Sequence, residues 1–361
     1  MPKAILPSGH TWAYVDANPQ GSPAILCLHG FPDLGYGYRH QIGAWARSGF
    51  RVIVPDMLGY GGSSAPIDPA QYTTKRLARD LTALLTKLGI ARAVVVGHDW
   101  GSFTAGRVAL WHPDRVLALV LMSVPYTPPA LAPMTIADVA ARAPNLGYQL
   151  FLVSPEAAPT LEANMPYFIA ITFHTPDAGA DVDFTPKNAF RTMLASPPSP
   201  ATIDAMPCVL KGDSLRAYTA ALRARGMTAS PPTLDVLSIY GKRDASIAPA
   251  ALKMQRRFVP RLTEVPLDGS GHWVMLEGVG EEPPVPIGNN ADPLEEWREG
   301  MSAGAWKDGS GDGGVVGRTV LTWLRELRNY GRHSGGEGET VGCLSYIILT
   351  RTKTCIDTAV I

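Results

Sequence analysis

The chain has 361 residues, 46% of them hydrophobic, and its 32 basic and 32 acidic residues give a formal net charge of zero. This composition allows a sizeable buried core and argues against a disordered chain. The charge balance gives no electrostatic reason to expect nucleic acid or an anionic membrane as a partner. No apolar stretch approaches the roughly 18 residues that a membrane span needs.

The cysteines and the N-terminal residues bear on the compartment. The chain has four cysteines, at positions 27, 208, 343 and 355, without CxxC or metal-ligand spacing, so we expect no metal site. The first seven residues, MPKAILP, contain no apolar core of signal-peptide length. We therefore expect a reduced cytoplasmic protein without a membrane span.

The first third of the chain alternates between predicted strands and helices. Short apolar runs indicate buried strands, and apolar residues at helical spacing, such as Leu77, Leu81, Leu84 and Leu88, indicate a helix with one buried face. The predicted strands are 11–17, 24–28, 52–54, 93–96 and 117–122, and the predicted helices are 38–47, 73–88 and 102–110. This alternation predicts an α/β fold with a mostly parallel sheet covered on both faces.

The pattern changes at Pro125. From there to about Pro232 the chain is rich in proline and alanine and lacks a clear buried strand, which predicts a helical insertion between two strands of the sheet. Strands return at 234–239 and 262–267. Residues 278–317 combine many glycines and charge clusters without periodicity, which predicts disorder.

These changes divide the chain into predicted units. The division is 1–124 for the first part of the core, 125–232 for the helical insertion, 233–277 for the second part of the core, 278–317 for a disordered insertion, 318–330 for a final core helix and 331–361 for a tail of unknown structure.

The five residues GHDWG at 97–101 lie between a buried strand and a predicted helix. A strand–turn–helix with small residues around a nucleophile is typical of a nucleophile elbow, which usually carries serine. Here it carries Asp99. A serine must be deprotonated before it attacks, whereas a carboxylate with an ordinary pKa near ~4 is already ionised at neutral pH. We therefore expect Asp99 to attack alkyl carbon and to form an ester on the enzyme.

Two more catalytic candidates follow later strands. Asp244 comes just after the strand at 234–239, and His272 comes just after the strand at 262–267. The order nucleophile, acid, histidine is that of α/β-hydrolases. Because residues beyond the carboxyl ends of parallel strands converge on one crevice, all three side chains can meet. We expect Asp244 to orient His272, and His272 to activate the water that hydrolyses the ester.

Hydrolysis of that ester creates an oxyanion on the carboxyl group of Asp99, and backbone N–H groups must stabilise it. We expect one N–H from Trp100, at the start of the helix after the elbow, and one from Phe31, in the turn HGFP at 29–32.

Taken together, the turn at 29–32, the elbow at 97–101, Asp244 and the segment GHW at 271–273 resemble an α/β-hydrolase-fold epoxide hydrolase. The resemblance runs from about residue 10 to Glu277 and again from Arg318 to about Leu327. It implies a mostly parallel eight-stranded sheet with helices on both faces, and it makes 125–232 a helical cap over the active site. It also implies addition of water to an epoxide substrate, giving a vicinal diol, with no cofactor.

The resemblance further implies two cap tyrosines that donate hydrogen bonds to the alkoxide formed on ring opening. The segment 147–151 is similar to the stretch that carries the first of them, which assigns that role to Tyr148. The second normally lies in an Asn-Trp-Tyr tripeptide that this chain lacks. Tyr218 is the remaining candidate, with packing on its own helix as the alternative.

Two other functions stay open. A haloalkane dehalogenase-like hydrolase would use the same aspartate, with Trp100 as a halide donor. However, position 31 is phenylalanine rather than asparagine, and 125–232 contains no tryptophan. A catalytically impaired or inactive α/β-hydrolase relative is favoured by the missing tripeptide and by the insertion at 278–317.

Overall fold

A computed structural model of the chain describes residues 2–128, 135–175, 182–210, 212–222, 236–241, 243–244, 252, 262–268, 270–277, 295–304, 307 and 313–333. Eight strands form one sheet in the order β1-β2-β4-β3-β5-β6-β7-β8. They are β1 (Lys3–Ile5), β2 (Thr11–Ala17), β3 (Ala24–Leu28), β4 (Arg51–Pro55), β5 (Ala93–His98), β6 (Val116–Met122), β7 (Val236–Gly241) and β8 (Leu262–Leu267).

The sheet is mostly parallel, as the sequence predicts. β1 pairs with β2, and β2 with β4, in antiparallel fashion, whereas every other neighbouring pair is parallel. β3 and β5 are buried along their whole length at the centre of the sheet, which explains their continuous apolar sequences. β1 was not among the predicted strands because its three residues bury only Ala4, too short a pattern for periodicity to reveal.

Twelve α-helices accompany the sheet in the described part of the chain. They are α1 (Arg39–Arg47), α2 (Thr74–Lys87), α3 (Trp100–Trp111), α4 (Ile136–Arg142), α5 (Gln149–Leu152), α6 (Ala157–Ala163), α7 (Met165–Thr172), α8 (Ala189–Ala195), α9 (Pro200–Asp204), α10 (Gly212–Ala221), α11 (Glu295–Ala303) and α12 (Gly314–His333). α3 packs against β5, β6 and α2, whereas α1 packs against β4 and α12. None of the helices described is both long and apolar enough to cross a membrane.

Seven of these helices, α4–α10, lie between β6 and β7 in the chain. They contact the core through aromatic rings: the ring of Phe173, just after α7, stacks on Trp273 with centroids 4.0 Å apart. The indole N–H of Trp273 donates to the carbonyl of Thr172 at 2.9 Å. The helical layer is therefore attached directly beside His272. The end of the cap, where the resemblance leads one to expect the missing Asn-Trp-Tyr tripeptide and the chain looks shortened, falls on residues outside the described ones.

The structure departs from the disorder expected for 278–317. Within that stretch it describes α11, and α12 begins at Gly314, four residues before the predicted final helix. Trp297 is buried on α11, and Met301, one turn later, packs against the core. The sequence pattern hides this helix because a charged residue, Arg298, is also buried on it, and its partner lies 242 positions earlier.

Candidate active site

The elbow holds Asp99 in a strained turn between β5 and α3. Its backbone has φ 51° and ψ −123°, a conformation that non-glycine residues rarely adopt and that clusters at functional sites. Glycines on either side permit the turn. A Cβ atom at Gly97 would lie 2.3 Å from the carbonyl oxygen of Gly101, and one at Gly101 would lie 2.0 Å from the carbonyl oxygen of Leu28. The close approach of these backbone segments explains why both positions carry glycine.

Asp244 and His272 meet Asp99 at the carboxyl end of the sheet. Nδ1 of His272 lies 3.0 Å from Oδ2 of Asp244, and Nε2 lies 3.6 Å from Oδ2 of Asp99. With its Nδ1–H donated to Asp244, the imidazole presents Nε2 to the nucleophile. Asp99 and Asp244 are 145 positions apart in the sequence, and Asp244 and His272 are 28 positions apart. The fold nevertheless brings these three residues, which the sequence identifies, into one site.

The charges in this site are coupled. Burial raises the pKa of Asp99, while His272 and the neighbouring backbone N–H groups act in the opposite direction. Burial lowers the pKa of His272, but Asp244, Asp99 and Glu277 outweigh it and raise this pKa to about 9. An ion pair between Asp99 and His272 is thus favoured in the resting state. Esterification of Asp99 would remove its charge, which lowers the pKa of His272 and makes the ring a better base.

Two backbone N–H groups point at the Asp99 carboxylate. The N–H of Phe31 donates to Oδ1 at 2.8 Å, and the N–H of Trp100 also hydrogen-bonds to the carboxylate. The turn before Phe31 is fixed by buried His29, whose Nδ1–H donates to the carbonyl of Gly30 and whose Nε2 accepts the N–H of Met57. These are the two amides expected from the sequence to hold an oxyanion.

Tyr148 lies against the site from the helical layer. Its side chain is buried, and its ring meets Phe184 edge-on at 5.6 Å. The side chains of Gln149 and Trp100 act to lower the pKa of its hydroxyl. Burial raises the pKa of Tyr148, and the charge of Asp99 raises it further. The phenol therefore stays protonated near neutral pH and can donate a hydrogen bond.

Tyr218 has a different environment. Its hydroxyl donates to Oδ1 of Asp33 at 2.5 Å, and its buried ring lies edge-on to Phe173. Burial raises the pKa of Asp33 to about 7, although the hydrogen bond from Tyr218 acts against this shift. Because the phenolic proton is directed at Asp33, the position of Tyr218 does not favour it as a second donor to a substrate on Asp99.

Sequence reasoning missed the residues that hold the His272 loop. The carboxylate of Glu277 accepts the N–H of Gly271 at 2.7 Å and the N–H of Trp273 at 3.1 Å, one on each side of His272. The hydroxyl of Ser123 donates to the carbonyl of His272 at 2.5 Å. These side chains act on backbone groups, so no motif of chemically matched residue types could have indicated them.

The described residues include no cluster of three or more His, Cys, Asp or Glu side chains arranged to hold a metal ion.

Comparisons with known proteins identify the family to which this chain is similar. A family model described as alpha/beta hydrolase fold matches residues 23–279. Epoxide hydrolase A of Mycobacterium tuberculosis (strain ATCC 25618 / H37Rv) is 32% identical over 295 residues, which cover 74% of this chain and 90% of that protein. Bifunctional epoxide hydrolase 2 of Sus scrofa is 27% identical over 285 residues, which cover 72% of this chain and 50% of that protein.

Solved structures of epoxide hydrolases are also similar to this chain. The crystal structure of epoxide hydrolase A from Mycobacterium thermoresistibile matches with a TM-score of 0.63 at 26% identity, over 76% of this chain and 93% of that one. An epoxide hydrolase from an endophytic Streptomyces matches with a TM-score of 0.66 at 27% identity, over 91% of this chain and 96% of that one.

Substitution of Asp244 tests the electrostatics of the site. In Asp244→Asn we expect the pKa of His272 to fall from about 9, because the variant removes the negative charge that raises it most. An NMR titration of the His272 ring signals measures this pKa. His29, whose pKa burial lowers to about 4, is the internal control and should not change. An unaltered pKa of His272 would contradict the assigned pairing.

Substitution of Glu277 tests the loop clamp. Glu277→Gln leaves one acceptor oxygen for two N–H groups, so we expect a loss of about 1–3 kcal/mol in the free energy of unfolding. Urea denaturation measures it. Glu162→Gln, on the exposed side of α6, is the matched control and should be neutral. Equal stability of the two variants would show that Glu277 does not hold the loop.

Proposed function

The chain belongs to the alpha/beta hydrolase fold family, and we propose that it is an epoxide hydrolase, which adds water to an epoxide and releases a vicinal diol. One observation carries the proposal. The elbow presents an aspartate, and that carboxylate is held by the N–H of Phe31 at 2.8 Å and faces Nε2 of His272 at 3.6 Å. The similarity to named epoxide hydrolases supports the same substrate class.

Ring opening uses the two carboxylate oxygens of Asp99 differently. Oδ1 is hydrogen-bonded to Phe31, so Oδ2, which faces His272, is the nucleophile. It attacks one epoxide carbon, the carbon–oxygen bond of the ring breaks, and the substrate oxygen becomes an alkoxide. Tyr148, protonated and beside Asp99, donates a hydrogen bond and then its proton to that alkoxide.

Hydrolysis releases the diol. His272 passes its resting proton to the Tyr148 phenolate and, now neutral, takes a proton from water; the resulting hydroxide attacks the carboxyl carbon of Asp99. Negative charge then develops on Oδ1, between the N–H groups of Phe31 and Trp100. The ester bond breaks, the leaving alkoxide takes the proton of the new Asp99 carboxyl group to give the diol, and Asp244 stabilises the imidazolium form of His272, which again faces the Asp99 carboxylate.

One contact distinguishes this reaction from dehalogenation. A dehalogenase-like site would direct the indole N–H of Trp100 at a departing halide, whereas here the Trp100 side chain lies beside the Tyr148 hydroxyl and acts to lower its pKa. Trp100 and Tyr148 together are suited to an alkoxide, because an alkoxide needs a proton and the Tyr148 hydroxyl can supply it. Chloride release from 1-chlorobutane, with no diol formed from styrene oxide, would overturn the proposal.

The covalent step is tested with His272→Gln. Glutamine cannot accept the proton from water, so ring opening should continue while hydrolysis stops, and the ester should accumulate. Peptide mass spectrometry after incubation with styrene oxide should find one adduct, on the peptide that contains Asp99. The double variant Asp99→Asn/His272→Gln is the control and should form none. An adduct on another residue, or on neither protein, would contradict the mechanism.

The ring-opening donor is tested with Tyr148→Phe. If the hydroxyl acts like an oxyanion-hole donor, its loss costs about 2.7–4 kcal/mol, which slows ring opening roughly 10²–10³-fold. Single-turnover kinetics should show slower ester formation with unchanged ester hydrolysis. Tyr167→Phe, a partly buried tyrosine on α7 whose pKa is raised by burial alone, is the matched control. Equal rates in the two variants would exclude Tyr148 as the donor.

A further inference from the structure

Helix α11 lies outside residues 23–279, which the family model matches, yet it is anchored inside that region. Arg298 on this helix is only 1% exposed, and its Nη1 lies 2.6 Å from Oδ2 of Asp56, which is equally buried. A charge pair so fully removed from water is costly unless its geometry is good and its remaining polar atoms are satisfied. The contact is therefore a specific one.

Asp56 connects several backbone segments. Its Oδ1 accepts the N–H of Gly35 at 3.1 Å, and its Oδ2 accepts the N–H of Gly62 at 3.0 Å. Its own N–H donates to the carbonyl of Ala13. Arg298 supplies the opposite charge to a carboxylate that also accepts the neutral N–H groups of Gly35 and Gly62.

These contacts lead to the oxyanion turn. Gly35 ends the segment that begins at His29, and His29 accepts the N–H of Met57, the residue after Asp56. The segment is thus fastened at both ends to residues 56 and 57, and Phe31 lies between the two attachments with its N–H 2.8 Å from Oδ1 of Asp99.

A second contact joins α11 to the same segment. The rings of Trp297 and Tyr36 meet edge-on, with centroids 4.9 Å apart, directly after Gly35. The hydroxyl of Tyr36 lies 3.2 Å from the hydroxyl of Ser214 on α10. Helix α11 therefore supports the oxyanion turn from behind and reaches, through Tyr36, the helical layer above the site.

We propose that Arg298 is a positioning residue, which acts through Asp56 and Gly35 to hold the N–H of Phe31 in line with the oxyanion of ester hydrolysis. This inference rests on the proposed function. Without Arg298, Asp56 must keep an uncompensated buried charge, take up a proton or admit water, and each outcome loosens its hold on Gly35. Because the N–H of Phe31 matters most when negative charge develops on Oδ1, ester hydrolysis slows more than ring opening.

The test compares the two steps in Arg298→Met and Arg298→Lys. Rapid quenching during turnover of styrene oxide, followed by intact-protein mass spectrometry, gives the fraction of enzyme that carries the ester. We expect Arg298→Met to slow ester hydrolysis about tenfold while ring opening changes little, so that the ester fraction rises. Arg298→Lys keeps the charge and should recover part of the hydrolysis rate.

The matched control is Arg51→Met. Arg51 also forms an ion pair beside the sheet, with Asp16 at 2.7 Å, but has no contact with Asp56 among those described. Arg51→Met should leave the ratio of the ring-opening rate to the ester-hydrolysis rate unchanged, even if it changes the stability of the fold. The expected result is a rise of the ester fraction in Arg298→Met, a smaller rise in Arg298→Lys and none in Arg51→Met.

Equal slowing of both steps in Arg298→Met, or an unchanged ester fraction, would show that Arg298 only stabilises the fold and would overturn the proposal. If Arg298→Met does not fold, Arg298→Lys decides, since a displaced ammonium should still shift the ratio in the same direction. His272→Gln in the same assay separates the two claims. If that variant forms no ester, the proposed function fails rather than the role of Arg298.

Discussion

The site depends on keeping the Asp99 carboxylate ionised and oriented in a place that water scarcely reaches. Burial raises its pKa and so lowers the fraction of the ionised, nucleophilic form. His272 and the N–H groups of Phe31 and Trp100 oppose that shift, and the same groups later serve the second step. The turn at φ 51° places the carboxylate where all of them can act at once, which accounts for the strain there.

A further set of contacts keeps those groups in place by acting on the backbone. Glu277 holds both sides of the His272 loop, and Ser123 binds its carbonyl. Asp56 holds the turn behind Phe31, with Arg298 as its charge partner. In both sets of contacts a carboxylate accepts backbone N–H groups. The positions of the catalytic atoms therefore depend on residues that do not touch those atoms.

The sequence predicts the parts of this structure that have a local signal. Seven of the eight strands show as short apolar runs, and Asp99, Asp244 and His272 each follow a strand, so topology brings them together. The Arg298–Asp56 pair has no local signal, because its partners meet only after folding. The same holds for the hydrogen bond from Tyr218 to Asp33, which occupies the hydroxyl that the sequence offered as a donor. The sequence pattern does not reveal helix α11 because one of its buried side chains, Arg298, is charged and its partner is distant in the sequence.

The origin of the oxygen in the product tests the central claim most directly. In a single turnover with excess enzyme in ¹⁸O-labelled water, a carboxylate nucleophile gives its own oxygen to the diol, while the label enters the Asp99 side chain. We therefore predict an unlabelled diol from the first turnover and ¹⁸O in the peptide that contains Asp99. A diol that carries ¹⁸O from the first turnover, with an unlabelled Asp99 peptide, would mean that water attacks the epoxide directly and would contradict the account.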